Sequence, residues 1–598
     1  MPVNANPSLA FQLAVTQYRL GRLDLAETAC RDVLKGQPKH PGALHLLGVI
    51  SLRRFKPAAA VEWFDRLLKL KPDLPDVLNN RGMALQDLGR PKEALASFDG
   101  ALKLKPDYAE ALTNRGALLV AARRFDEAAR TYARLLAVAP DRSYARGALL
   151  AARLGMCDWT DFESLSADVA ARVERGEFAD DPTAFTWHSV SPALQLRAAE
   201  IYAARQWPSP PLPASTIVRP ERERIRLAYF SGDFREHAVA FNFVNLFERH
   251  DRARFEVWGI SYGPNDGSLM RARLERSFDR FIDTRAMDDQ NMAQMMRREG
   301  IDIVVDLTGF TGGNRTAVLA HRPAPIQVNH QLFGTGAPFM DYIVSDATIV
   351  PDHLAGFYRE RLARLPDCCM VTDDAQPIAE APPSRAAEGL PEQGFVFACF
   401  NNVNKILPPL FAVWMRLLRA VEGSVLWLRQ DNALALANLR RAAEQAGIAG
   451  ERLVFARRVP LPEHLARHRL ADLFVDTFPY NAHTTAVHAL WAGLPVLSER
   501  GESAPSRVAT SLLKAVGLPE LGVTSLGQYE ALALDLAAHP ERLAALKDRL
   551  AQARTTAPLF DSDRYRRHLE SAYGTMYRRW RNGQAPASFD VAPEEPSS

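Results

Sequence analysis

KPDLPDVLNNRGMALQDLGRPKEALASFDGALKLKPD, Lys71–Asp107, holds one full period of a pattern that runs along the front of the chain. Pro72 returns as Pro106, 34 residues on, with Gly82, Ala94 and Leu102 at fixed places between them. Outward in both directions the same positions recur: Pro38, Pro72, Pro106 and Pro140; Ala26, Ala60, Ala94 and Ala128; Leu34, Leu68, Leu102 and Leu136; Ala14, Gly48, Gly82 and Gly116. Each class has a mechanical role. Small side chains let two helices cross closely, leucines fill the layer between them, and proline, with no amide to donate, stops the second helix. Four registers in phase predict four tetratricopeptide-type helix pairs over residues 7–141, an α/α superhelix with one concave groove suited to docking other proteins.

From Arg142 the period is lost, and residues 142–222 read as a helical connector ending in the proline-rich linker Trp207–Ala214. Beyond it, apolar runs bounded by turn residues alternate with helical stretches: IRLAYFSGDF, FEVWGISYG and IDIVVDLTGF, then FVFACFNN, SVLWLRQ, RLVFARR, LFVDTF and PVLS. That alternation predicts parallel sheets covered by helices. The break Asp373–Gln393 divides it into two doubly wound lobes, 223–385 and 386–582, with a terminal helix over Asp563–Trp580. Residues 583–598 read as a disordered tail.

Composition excludes several classes. A net charge of +3, with no basic block or aromatic-basic stripe, argues against nucleic acid. The five cysteines form no CxxC pair, so neither zinc nor a disulfide framework is expected. No apolar run reaches membrane-spanning length and no leader pattern opens the chain, so the expected location is the cytoplasm.

Polar residues gather beyond strand ends, where open α/β sheets place ligands. FSGDFREH carries Asp233 and His237, LTGFTGGNR is a glycine turn, and CFNNVNKILP carries Asn402 and Lys405. DTFPYNAHTTAVHALWAGLPVL begins a helix with His483, Thr484 and Thr485, whose unpaired amides and dipole would seat a phosphate; Lys405 could neutralise it. Taken singly, each has an ordinary explanation as a hydrogen-bonding histidine, a solvated lysine or an N-cap. Together they fit a cleft with groups converging from two lobes.

These segments, with HRPAPIQ (His321–Gln327), FMDYIVSD (Phe339–Asp346), VLWLR (Val425–Arg429), ESAPSRVATSLL (Glu502–Leu513) and the connector's Cys157-Asp158-Trp159, resemble the O-linked N-acetylglucosamine transferase family. The resemblance implies tetratricopeptide repeats joined to a GT-B fold of two Rossmann-like lobes. It implies inverting, metal-independent and cofactor-free transfer of a sugar from a nucleotide donor, UDP-N-acetylglucosamine, to Ser or Thr of protein or peptide acceptors docked by the repeats. Lys405 would hold the departing diphosphate together with His483, Thr484 and Thr485. Asn402 would lie near the nucleotide, His464 and Arg467 would border the uracil, and His237 would stand at the acceptor hydroxyl as base or orienter. His488 occupies the place of the family's ribose-binding Asp. The loop His330–Pro338, expected beside the sugar, is shorter than the family's, and Leu461 replaces a basic residue. Three alternatives stay open: another donor (UDP-glucose or a GDP-sugar), another acceptor (flagellin or Asn), and a repeat scaffold with a degenerate transferase domain. Asp561-Ser562-Asp563 has the spacing of a metal-binding DxD but stands where a helix cap is expected.

Overall fold

The computed structural model describes residues 7–207 and 222–593. It divides into two compact units at Arg153/Leu154. The first contains four helix pairs: Pro7–Arg19 with Leu23–Gly36, Pro41–Arg53 with Pro57–Leu70, Pro75–Asp87 with Pro91–Leu104, and Ala109–Ala121 with Phe125–Val138. Each register proline falls two residues after the second helix of its pair ends.

The glycines mark the tightest crossings. A Cβ on Gly48, Gly82 or Gly116 would lie 2.3, 2.5 or 2.6 Å from a ring atom of Phe64, Phe98 or Tyr132 respectively. Where the first repeat has Ala14, the matching register position is Cys30, so the larger small residue meets the smaller partner. The leucine register needs correction. Leu34, Leu68 and Leu136 are only half-buried, and their preceding neighbours Val33, Leu67 and Leu135 fill the interior. The 34-residue period locates a helix face, but a one-residue step of 100° decides which side chain points inward.

The second unit opens with the connector helices Phe162–Glu174, Pro182–Phe185 and Pro192–Gln206. Of the expected linker Trp207–Ala214, only Trp207 is among the described residues; it stacks on Phe310 with ring centroids 5.7 Å apart.

Fourteen strands follow. The amino-terminal lobe uses β1 (Ile225–Ser231), β2 (Phe255–Ser261), β3 (Arg280–Asp283), β4 (Ile303–Asp306), β5 (Ile326–Asn329), β6 (Tyr342–Asp346) and β7 (Arg361–Leu365). The carboxy-terminal lobe uses β8 (Val396–Cys399), β9 (Val425–Arg429), β10 (Leu453–Ala456), β11 (Leu473–Val475), β12 (Val496–Glu499) and β13 (Gly522–Val523); β14 (Phe589–Asp590) returns to the first lobe. The sheet orders are β14-β7-β6-β5-β4-β1-β2-β3 and β10-β9-β8-β11-β12-β13, and every pairing is parallel. This is the GT-B arrangement. The central strands are buried on both faces, as in sheets covered by crossover helices.

The tail expectation is corrected within the described residues. Phe589 and Asp590 pair with Ala363 and Arg364, while the Ser588 hydroxyl accepts from the Leu362 amide at 3.0 Å. A two-residue strand has no hydrophobic periodicity to read; it forms because β7 offers an otherwise open edge.

Helix Ser562–Arg581 follows the carboxy-terminal lobe and packs back on the amino-terminal one. His250 Nδ1 and Glu570 Oε1 are 2.8 Å apart, and His330 Nε2 and the Tyr565 hydroxyl 2.9 Å apart, all buried. Asp561 caps this helix by accepting from the Arg564 amide at 2.8 Å.

Candidate functional site

Two helices facing each other across the lobes frame the site. Helix Ala238–Arg249 follows β1, and helix Thr484–Trp491 follows β11. Asn242 Nδ2, on the first, donates to Thr484 Oγ1, on the second, at 3.0 Å.

On the carboxy-terminal side, Asp476 sits immediately beyond β11 and organises a buried network. Its Oδ1 accepts from Asn401 Nδ2 (3.0 Å) and from the amides of Thr477 (2.7 Å) and Ala482 (2.6 Å), and its Oδ2 accepts from Ser498 Oγ at 2.6 Å. Thr485 Oγ1 donates to Asn401 Oδ1. These bonds fold the segment Thr477–His483 into a tight loop and aim the start of helix Thr484–Trp491. The first amides of any helix have no intrahelical acceptor, so this end carries donors and partial positive charge. His483, Thr484 and Thr485 there are half-buried and remain reachable.

Lys405 approaches the same loop from the turn Val403–Lys405 after β8. Its Nζ donates to the Asn481 carbonyl at 3.0 Å and stands 4.0 Å from the centroid of the Tyr480 ring, which in turn stacks on His483 at 4.7 Å. Burial pushes the ammonium down to about 8, while Asp476 and Cys399 pull the other way. Burial raises Asp476 to about 6, opposed by the bonds from Ser498, Ala482 and Thr477 and by the Lys405 charge. A cation held in low dielectric beside a helix start is a site for a polyanion.

Asn402, assigned to the nucleotide, is exposed, and the neighbouring Asn401 makes the buried bonds. His464 belongs to an aromatic cluster, with ring centroids 5.3 Å from Phe400, 4.8 Å from His468 and 6.0 Å from His488. Arg467 is 2% exposed, and its guanidinium donates to the Arg457 carbonyl at 2.7 Å and approaches Glu388 at 3.5 Å. That placement makes it a strut for the loop after β10. His488 is buried, burial drives its ring down to about 3, and its Nε2 has no hydrogen-bond partner among the described residues. A neutral imidazole therefore stands there.

On the amino-terminal side, His237 caps helix Ala238–Arg249. Its Nδ1 accepts from the Val239 amide at 3.3 Å, while Asp233 Oδ1, 3.7 Å from that nitrogen, is beyond hydrogen-bond reach. With Nδ1 accepting, the neutral ring carries its proton on Nε2. Burial lowers the ring below the usual histidine value, opposed by Asp233. The glycine turn is set by Asp306, whose Oδ1 accepts from the amides of Thr308 (2.9 Å) and Gly309 (3.2 Å). Gly309 has φ +55°.

The loop His330–Pro338, expected beside the sugar, is tied down from behind by Glu360 and the connector. Thr335 donates through both amide and hydroxyl to the buried Glu360 at 2.7 Å. Gly336, at φ +60°, lies against the backbone of Ala199 and Glu200 in the connector, where a Cβ would come within 2.7 Å. Gln331 reaches the glycine turn, donating to the Leu307 carbonyl.

Asn242, Asn401, Asp476, Tyr480 and Asn481 were not singled out by sequence. Their one common signal is position just after a strand end or one turn into a following helix.

A repeat array followed by a GT-B unit with this cation-and-helix-start site defines a class, and comparison with known proteins gives the family. The glycosyl transferase family 41 model matches residues 209–382 and 381–569, and tetratricopeptide repeat models match 11–75 and 85–154. The chain belongs to glycosyl transferase family 41. It is 34% identical over 459 residues to the probable UDP-N-acetylglucosamine–peptide N-acetylglucosaminyltransferase SEC of Arabidopsis thaliana, covering 73% of this chain and 47% of that protein. It is 26% identical to the UDP-N-acetylglucosamine–peptide N-acetylglucosaminyltransferase of Caenorhabditis elegans, covering 72% and 48%. The chain thus spans about half the length of these relatives. A solved structure of a Thermobaculum terrenum O-GlcNAc transferase mutant matches with a TM-score of 0.60 at 27% identity, over 97% of this chain and 99% of that one.

Proposed function

We propose that this chain is a protein O-glycosyltransferase that moves N-acetylglucosamine from UDP-N-acetylglucosamine to Ser or Thr of acceptors docked by the repeats, with inversion and without a metal. The observation that carries the reading is Lys405, held at the start of helix Thr484–Trp491 by Asn481 and Tyr480. In this reading the donor's diphosphate lies between the ammonium and the free amides, which meet the negative charge that grows as the glycosidic bond breaks. The acceptor hydroxyl attacks the anomeric carbon from the opposite side, from the direction of His237, and its proton passes to the departing diphosphate. With its proton on Nε2, His237 donates to and orients the acceptor or the sugar.

The neutral His488 gives a specific reason to test donors beyond UDP-N-acetylglucosamine, since an imidazole cannot accept from two ribose hydroxyls as a carboxylate does. A thermal-shift panel of UDP, GDP, UDP-N-acetylglucosamine, UDP-glucose and GDP-sugars decides. The expected result is stabilisation by UDP and UDP-N-acetylglucosamine above the rest. No shift with any nucleotide would refute the enzyme reading and leave a binding scaffold. Mass spectrometry of co-expressed host proteins then reads the added sugar. No helix among the described residues is long and apolar enough to cross a membrane, and the cytoplasm is the proposed location.

A further inference from the structure

Val403 and Ile406, the residues flanking the Lys405 turn, have their backbone carbonyls bonded by two side chains of the connector. Trp159 Nε1 donates to the Ile406 carbonyl at 3.2 Å, and Cys157 Sγ donates to the Val403 carbonyl at 3.6 Å. The Trp159 ring leans on Phe411, in the helix that follows, at 5.1 Å. The segment that carries these groups is itself anchored. Asn432 Nδ2 donates to the Gly155 carbonyl and Asn438 Nδ2 to the Met156 carbonyl, each at 2.8 Å. Cys157 holds φ at +49°, a left-handed conformation that a side chain with a Cβ adopts only when its surroundings impose it. That conformation points its buried thiol at Val403.

We infer that Cys157 and Trp159 are positioning residues for Lys405: together they fix the turn Val403–Ile406 from behind, so that the Lys405 ammonium reaches the Asn481 carbonyl and the start of helix Thr484–Trp491. A lysine side chain has four rotatable bonds, and a turn free to shift by an ångström would spread its ammonium over many positions. Through these two side chains the connector belongs functionally to the donor site. The inference rests on the reading of Lys405 as the diphosphate's cation.

Calorimetric titration of UDP into the full chain separates the two. Trp159→Phe keeps the ring on Phe411 and removes only the N–H donor. It should weaken UDP binding about fivefold, the scale of one ordered hydrogen bond, with a cooperative unfolding transition retained. Lys405→Ala should weaken binding more, and Trp159→Phe added to Lys405→Ala should weaken it no further. Unchanged affinity in Trp159→Phe, or an equal loss with and without Lys405, overturns the inference. Unchanged affinity in Lys405→Ala overturns the reading of the lysine itself, and the inference with it. Cys157→Ser keeps a donor and should bind UDP more tightly than Cys157→Ala; the reverse order also counts against the clamp.

Discussion

The two halves of the site are built differently. The carboxy-terminal half is a closed network in which Asp476 accepts four hydrogen bonds and Lys405 is fixed by Asn481 and the Tyr480 ring. The amino-terminal half offers a half-exposed histidine held by a single 3.3 Å bond as a helix cap. Under the proposed function, the difference matches what each half would do. A leaving diphosphate would have one shape and a large charge, which preorganised donors serve. Acceptor segments would vary, and a loosely held group would tolerate them.

The contrast is broken most severely at Asp476. Asp476→Ala strands four buried donors and leaves the Lys405 ammonium without its nearest counter-charge, and should cost about 3–5 kcal/mol of stability by chemical denaturation. A loss under 1 kcal/mol would mean that the network is not the framework of this half. Lys405→Ala should leave the fold intact and cut transfer by about 10²–10³, the scale of removing one charge-stabilising donor. Transfer near the wild-type rate would remove the lysine from the mechanism.

pH sharpens the same point. The Lys405 ammonium, pushed down to about 8, is charged below that value and loses its proton above it. kcat/KM, which reports the free enzyme, should therefore fall as pH rises through about 8. A profile flat to pH 10 would contradict the buried environment described for the lysine. The corresponding limb in kcat, which reports the donor-bound enzyme, should lie higher, because a bound anion favours the charged form.

Gly82→Ala reaches a third region and should destabilise the repeat unit by about 1–3 kcal/mol through the clash with Phe98, leaving UDP affinity unchanged. The smallest effect belongs to His237→Asn, which keeps a capping side chain. Stability should change by well under 1 kcal/mol, and kcat should fall while UDP affinity holds. A drop in UDP affinity equal to that of Lys405→Ala would erase the distinction between the two halves.

Much of this was legible in advance because it is periodic or local. The 34-residue registers locate all eight repeat helices, and the glycine positions identify the close crossings before their ring partners are known. The aromatic register Phe64, Phe98 and Tyr132 is interrupted in the first repeat by Cys30. Strands such as β1, β8 and β11 are plain apolar runs. β3, β13 and β14 are not, since Arg280–Asp283, Gly522–Val523 and Phe589–Asp590 mix apolar residues with charges or glycine and contain no apolar run. Lys405 and His483-Thr484-Thr485 announced themselves by position after strands. That Asn401 makes the buried bonds while Asn402 is exposed was not legible, because adjacent residues on an extended segment point oppositely and sequence does not say which faces the core.

By itself, then, the sequence determined the repeat array and the two parallel lobes, which are properties of spacing along one chain, and singled out the residues proposed to meet a diphosphate. Tertiary structure alone decided which of them act together. It buried Arg467 as a strut, folded His330–Pro338 against Glu360 and the connector, left His488 neutral, and brought Trp159 and Cys157, some 250 residues away in sequence, behind Lys405. Burial sets charge state and hydrogen bonds set orientation, and both depend on partners from distant parts of the chain.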